Sequence, residues 1–166
     1  MEGGSIVMSE VQRMPWYAAT LVLIVAAVLW YGFFQQIVFD VPFGSKPASD
    51  AEMWVIFILF GICLPLLFLS MKLVIKTQKD NLVIRFFPFH TRVIPYDRIK
   101  SVQVQSYRPL SYGGWEIRWN PKLGWAYTMK GTKGVWIELE NGDHLFIGSQ
   151  NPEKLVEHIK RECTFL

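Results

Sequence analysis

Three histidines, two cysteines and a glycine-flanked lysine are the side chains of this sequence through which proteins most often do chemistry. Their spacing does not favour it. His90, His144 and His158 stand far apart, with no cysteine or paired carboxylates close by, so no metal-ligand spacing exists. Cys63 lies in an apolar run and Cys163 near the C-terminus. They form neither a CxxC pair nor a disulfide framework, which fits a reducing compartment. Gly131-Thr132-Lys133-Gly134 resembles a phosphate loop only superficially, lacking the length and the following helix, and reads better as a turn between strands. No G-x-S-x-G or G-x-G-x-x-G is present. The expectation is a protein that is not an enzyme, without metal, cofactor, nucleic acid or small-molecule substrate.

Cations and aromatics are more informative. Lys72, Lys76 and Lys79 are followed by Arg85, Arg92, Arg98, Lys100, Arg108 and Arg118. Beside an anionic leaflet each well-placed cation contributes about 1 kcal/mol. Solvated strand faces that merely follow the positive-inside bias would have the same composition. Residues 107–125, YRPLSYGGWEIRWNPKLGW, set Tyr107, Tyr112, Trp115, Trp119 and Trp125 among glycines, prolines and Arg108, Arg118 and Lys122. Tryptophan with arginine is the composition of a binding hot spot or a membrane-interface contact. Alternating tryptophans filling a small β core is the competing reading. Within WEIRW, Trp115, Ile117 and Trp119 share one strand face and Arg118 the other, which points the tryptophans inward and Arg118 outward. The candidate contacts for a protein partner or a lipid headgroup are therefore Lys76, Lys79, Arg108, Tyr112, Trp115, Arg118, Lys122 and Lys133.

What would position them begins with a membrane anchor. Half of the 166 residues are apolar, and mean hydropathy is +0.22 although 19% are charged. That combination concentrates the apolar residues somewhere, and they sit in the first 75. From Trp16 to Phe39 no residue is charged. At 1.5 Å per residue this makes roughly 36 Å of helix, longer than a hydrocarbon core of roughly 30 Å. Trp16 and Tyr17 at one end, and Trp30 and Tyr31 towards the other, suit the two interfaces, with Gln35 and Gln36 at or beyond the far one. A second uncharged run covers Met53 to Met71, opened by the S-x-x-E capping box of Ser49 and Glu52 and interrupted by a kinking Pro65. The first run is too long, its leader too acidic, and an A-x-A site too absent for a cleaved signal peptide.

Charge sets the orientation. Residues 1–71 carry two basic side chains, Arg13 and Lys46, against five acidic ones, whereas residues 72–166 carry fifteen basic against nine acidic. The positive-inside bias puts the 40–52 loop outside and both termini in the cytoplasm. The division expected is a cytoplasmic segment 1–15, transmembrane helices 16–39 and 53–75 joined by an external loop 40–52, and a cytoplasmic domain 76–166.

After residue 71 the pattern turns to short strands. KLVIKT (72–77) and NLVIRFF (81–87) read as a hairpin; TRVIP, IKSVQVQSY, GWEIRWN, GWAYTMK, GVWIELE and DHLFIGS follow. Asn141-Gly142 is the strongest hairpin signal in the chain. Asn151 as N-cap, Pro152 at the first helical position and the stripe Leu155, Val156, Ile159 predict a closing amphipathic helix.

This order resembles bacterial membrane proteins with a pleckstrin-homology-like domain behind a two-helix hairpin. The likeness rests on the turn Ile94-Pro95-Tyr96-Asp97-Arg98-Ile99-Lys100-Ser101-Val102 and on the ending Ile147-Gly148-Ser149-Gln150-Asn151-Pro152-Glu153-Lys154-Leu155. It rests also on Tyr112-Gly113-Gly114-Trp115 with Gly124-Trp125-Ala126-Tyr127. The resemblance implies a barrel of about seven short antiparallel strands capped by the C-terminal helix. It implies a bacterial inner-membrane protein and says more of architecture than of activity. The exposed strand edges and loops of such a domain, concentrated at a bilayer, lead to the expectation that it binds protein partners, its own copies among them. Recognition of anionic lipid headgroups is the alternative.

Overall fold

Uncharged runs become helices because a backbone surrounded by apolar side chains satisfies its polar groups internally. The computed structural model describes residues 8–106, 116–120 and 124–163. It separates into a helical unit, Met14–Met71, and a β unit. The β unit comprises the strand before that hairpin and the chain from Lys72 onward.

In the helical unit, α1 (Trp16–Val38) and α2 (Asp50–Ser70) are each long and apolar enough to cross a membrane. Ser49 caps α2 through a full capping box: its hydroxyl oxygen accepts from Glu52 N, and Glu52 Oε2 accepts from Ser49 N at 2.8 Å. Pro65 has no N–H to give the carbonyl of Gly61, four residues earlier. Trp30 Nε1 donates to that oxygen from α1 at 2.9 Å. The preceding stretch, Phe57–Cys63, is wound as a π-helix, a common way of absorbing an interrupted ladder. Trp30 thus staples the two helices, where the sequence suggested an interfacial anchor. Phe33 stacks on Phe57 at 3.9 Å, with Trp54 edge-on to Phe33 at 4.7 Å. Gln36 turns inward and closes the loop, its Nε2 donating to Ala48 O at 2.7 Å and Asp50 Oδ1 at 3.1 Å.

The β unit holds nine strands among the described residues: β1 (Met8–Arg13), β2 (Lys72–Thr77), β3 (Asn81–Phe87), β4 (His90–Pro95), β5 (Ile99–Ser106), β6 (Glu116–Asn120), β7 (Gly124–Thr128), β8 (Lys133–Leu139) and β9 (His144–Gly148). The helix α3 (Pro152–Glu162) follows. They form two sheets, ordered β1-β2-β3-β4 and β5-β8-β9-β7-β6. Three expectations change. The strands make no closed barrel, and no pairing joins the two sheets among the described residues. They are not all antiparallel: β7 lies parallel to β9, Trp125 opposite Leu145. The second helix ends at Ser70 where 75 was expected, because β2 takes Lys72–Thr77, and residues 8–13 of the expected N-terminal segment form an edge strand.

Alternation builds the core. Leu73, Ile75, Leu82, Ile84, Phe86 and Ile94 fill one face of the first sheet, each 3% exposed or less. Val135, Ile137, Leu145 and Ile147 do so in the second, and α3 buries Leu155 and Ile159 fully. Gly142, at φ 82°, turns β8 into β9 as its Asn-Gly signal promised. Gly124 is required for another reason: with φ 74°, any Cβ there would collide with the His144 carbonyl.

Inward positions of β1 are polar. Glu10 and Gln12 are buried to 8% and 1% exposure, yet the carboxylate is fully engaged. Glu10 Oε2 accepts from Ser149 Oγ at 2.6 Å, and Oε1 accepts from Gln150 N at 2.7 Å and Gln12 Nε2 at 2.8 Å. Gln12 Nε2 also donates to Gly148 O at 2.7 Å. The N-terminal strand is thereby tied to the end of β9, 139 residues away from Glu10 at Ser149.

Removing that carboxylate takes the acceptor from three donors, Ser149 Oγ, Gln150 N and Gln12 Nε2. Glu10→Ala is expected to cost about 1.5–3 kcal/mol, seen as a lower melting temperature of the solubilised chain and early loss of amide protection over residues 8–13. In the hairpin, Trp30→Phe keeps the ring but orphans the Gly61 carbonyl. A loss of about 0.6–2 kcal/mol is expected in the reversible unfolding of the helical unit in bilayers or micelles.

Candidate interaction surfaces

Antiparallel register sorts the outer face of the first sheet into rows. Arg13, Lys72 and Phe87 lie side by side in the row where the chain leaves for α1 and returns from α2. The next row is Val11, Val74, Arg85 and Thr91; the third is Ser9, Lys76, Val83 and Val93. These rows bring four cations onto one face with no carboxylate. Val11 and Val93 are about half exposed, and a groove of about 520 Å³ runs between Ser9, Val74, Lys76 and Arg85. Lys72 and Arg85 both sit over the Phe87 ring, 5.3 and 5.5 Å from its centre. Such stacking holds the cations against an apolar floor without neutralising them. Beyond the first row the β3–β4 turn projects Phe89, 59% exposed.

The opposite end of the same sheet is acidic. Lys79 and Asp80 in the β2–β3 turn border a groove of about 430 Å³ that also carries Asp97, Glu140 and Glu162. Lys79 therefore does not join Lys76: the turn carries it among carboxylates. Lys133 is exposed at the start of β8, opposite Ser106. Arg108, Tyr112, Trp115 and Lys122 lie outside the described residues; Arg118 is placed only as backbone in β6, opposite Ala126.

Trp119 corrects the inward reading of WEIRW. It pairs with Trp125 across β6 and β7, and the two are 60% and 40% exposed. The alternation was sound, but among the described residues β6 is the last strand of its sheet and none of them covers that face at Trp119. Deeper along β7 the same face is buried. Trp125 stacks towards Tyr127 at 6.4 Å, and Tyr127 stacks on His90 of the other sheet at 6.0 Å. Burial pushes the Tyr127 hydroxyl above its ordinary value, with Arg92 pulling weakly the other way. Burial pushes Tyr96 up as well, helped by the charge of Glu162. Desolvation likewise raises the Cys163 thiol, whose Sγ donates to Tyr96 O at 3.6 Å.

Among the described residues no three His, Cys, Asp or Glu side chains gather as a metal cluster would require. A family profile matches residues 2–164, nearly the entire chain. The chain belongs to DUF6141, a family of unknown function. No curated protein and no solved structure matched this DUF6141 chain.

The outer basic face and Phe89 went unread in sequence because register creates them. Phe87, Arg85 and Lys72 are ordinary strand residues until pairing puts them together. The raised tyrosines carry a pH signature. Both stay protonated in the folded state beyond the pH at which the unfolded chain releases its protons, so stability falls as pH rises above 10.0, the ordinary tyrosine value. Unfolding midpoints measured upward from neutral pH should decline there, and Tyr127→Phe should remove part of the decline.

Proposed function

We propose that this chain is a two-span protein of the bacterial inner membrane whose β unit serves as a protein-docking module on the cytoplasmic side. The single observation that carries the docking reading is the exposed Trp119–Trp125 pair, on the strand that ends its sheet among the described residues and the one beside it. Tryptophan dominates binding hot spots because it buries a large rigid surface at low entropy cost. A second copy of the chain offers the same pair, so self-association through β6 is the simplest occupant.

The pairing of β1 supports this topology. One sheet contains residues before α1 and residues after α2, paired Arg13 to Lys72. A folded sheet stays on one side of a bilayer, which favours an even number of crossings by the apolar hairpin. The fifteen basic residues beyond position 71 favour the cytoplasm as that side. The hairpin-then-strands order and the closing helix support the likeness to pleckstrin-homology-like membrane proteins. Likeness of fold gives no activity, and nothing in the site calls for an enzymatic one.

Crosslinking of tagged full-length protein in native membranes tests this. A defined protein adduct, either a dimer or one heterologous partner, is expected for the natural sequence. Trp119→Asp should weaken it at least tenfold while leaving the melting temperature within a degree or two, as befits an exposed site. An adduct unchanged by Trp119→Asp, or none above background, overturns the docking reading.

A further inference from the structure

We infer that the outer face of the first sheet, led by Phe89, rests on the anionic leaflet in which the hairpin is anchored. The inference relies on the two-span reading and is independent of the protein-docking surface.

Chain length limits where this face can go. Only Met71 separates Ser70, the last residue of α2, from Lys72, and only Met14 and Pro15 separate Arg13 from Trp16. Consecutive Cα atoms are about 3.8 Å apart, so the row of Arg13, Lys72 and Phe87 lies within roughly 8–12 Å of the helix ends. The layer between hydrocarbon and bulk water is itself roughly 5–8 Å deep on each side. β3 runs towards that row and its turn continues past it, so Phe89 lies beyond the row at the strand end where the chain joins the helices, its ring 6.4 Å from that of the inward Phe86.

The chemistry of the face matches an interface. Phe87 and Phe89 supply apolar rings, Lys72 and Arg85 lie against Phe87, and Arg13 and Lys76 complete a set of four cations. Long basic side chains can bury their stems along Val11, Val74, Val83 and Val93 while their charged heads reach phosphate. The acidic groove of Asp80, Asp97, Glu140 and Glu162 lies at the far end of the sheet, where the docked arrangement would keep it off the leaflet. A uniformly solvated domain has no need of such polarity. Each cation at an anionic surface favours the docked arrangement about fivefold at low salt.

Lipid-quenching of single fluorescent labels on the full chain in nanodiscs tests the inference. Cys63→Ala and Cys163→Ala provide the background, and Phe89→Cys, Asp97→Cys and Leu66→Cys carry the label in turn. Discs contain phosphatidylcholine with or without phosphatidylglycerol, and a nitroxide quencher at headgroup or acyl depth. The expected result is headgroup-depth quenching at position 89 several-fold above that at position 97. It should be strengthened by phosphatidylglycerol and reduced by Lys76→Glu with Arg85→Glu or by high salt. Acyl-depth quenching at position 66 reports insertion of the hairpin. Quenching at 66 with equal, weak quenching at 89 and 97 would overturn this inference alone. Loss of quenching at 66 would overturn the two-span reading beneath it. The wild-type comparison of positions 89 and 97 decides the matter even if the charge variants fail to fold.

Discussion

Everything in this architecture depends on how a six-residue N-terminal strand is held. β1 pairs along its whole length with β2, and the two strands are the entry and exit of a 58-residue helical excursion, Met14–Met71. The pairing closes that excursion into a loop and fixes its two ends beside one another. What keeps β1 in place is unusual for an edge strand, because its inward positions are Glu10 and Gln12 and not aliphatic residues. A buried carboxylate is tolerable only when its lone pairs are occupied, and Ser149, Gln150 and Gln12 occupy them. Polar satisfaction of this kind selects one register, since a slip by one residue would expose Glu10 and bury Val11 opposite an unprepared surface. The same contact joins the first strand to the junction of the last strand and α3, so both ends of the β unit meet at one carboxylate.

Within the hairpin a comparable economy operates. Pro65 removes a donor, the helix widens ahead of it, and the indole of Trp30 reaches the carbonyl of Gly61. Glycine at that position has Phe57 close beside it, so the small residue and the aromatic ring fit together. A stacked Phe33–Phe57 pair and an edge-on Trp54 complete the seam. Were the hairpin in lipid, where apolar burial offers little drive between helices, packing and the bonds from Trp30 to Gly61 and from Gln36 to Asp50 would be the terms that remain.

Charge organises the β unit along the strand direction. Cations sit in the rows at the strand ends where the chain joins the helices, and carboxylates gather around the distal turn. The exposed tryptophans lie on a different sheet, on the last of its described strands and the one beside it. Two surfaces of different chemistry are therefore available at once. A domain that lies on a leaflet through one sheet can present the tryptophans of the other to a partner confined to the same plane, where effective concentrations are high.

Much of this was legible from the residues alone. Uncharged runs with aromatic ends gave the helices, Ser49 and Glu52 gave a helix start, Asn141-Gly142 gave a turn, and the Leu155–Ile159 stripe gave a closing helix. These features are local: each depends on a few neighbouring side chains and on the two periods of backbone geometry. The strand role of residues 8–13 was hidden because its buried positions are polar, and only hydrogen bonds to groups nearly 140 residues away make that burial stable. The exposure of Trp119 was hidden because alternation assigns a face without saying what stands across from it. Lys79 was grouped with Lys76 because they are three residues apart, while the turn sends them to opposite electrostatic surroundings. Sequence by itself determined the two apolar helices, the strands after residue 71 and the closing helix, in their order. Long-range register decided the two-sheet arrangement, the buried carboxylate and the basic face, since each arises only when residues distant in the chain are brought side by side.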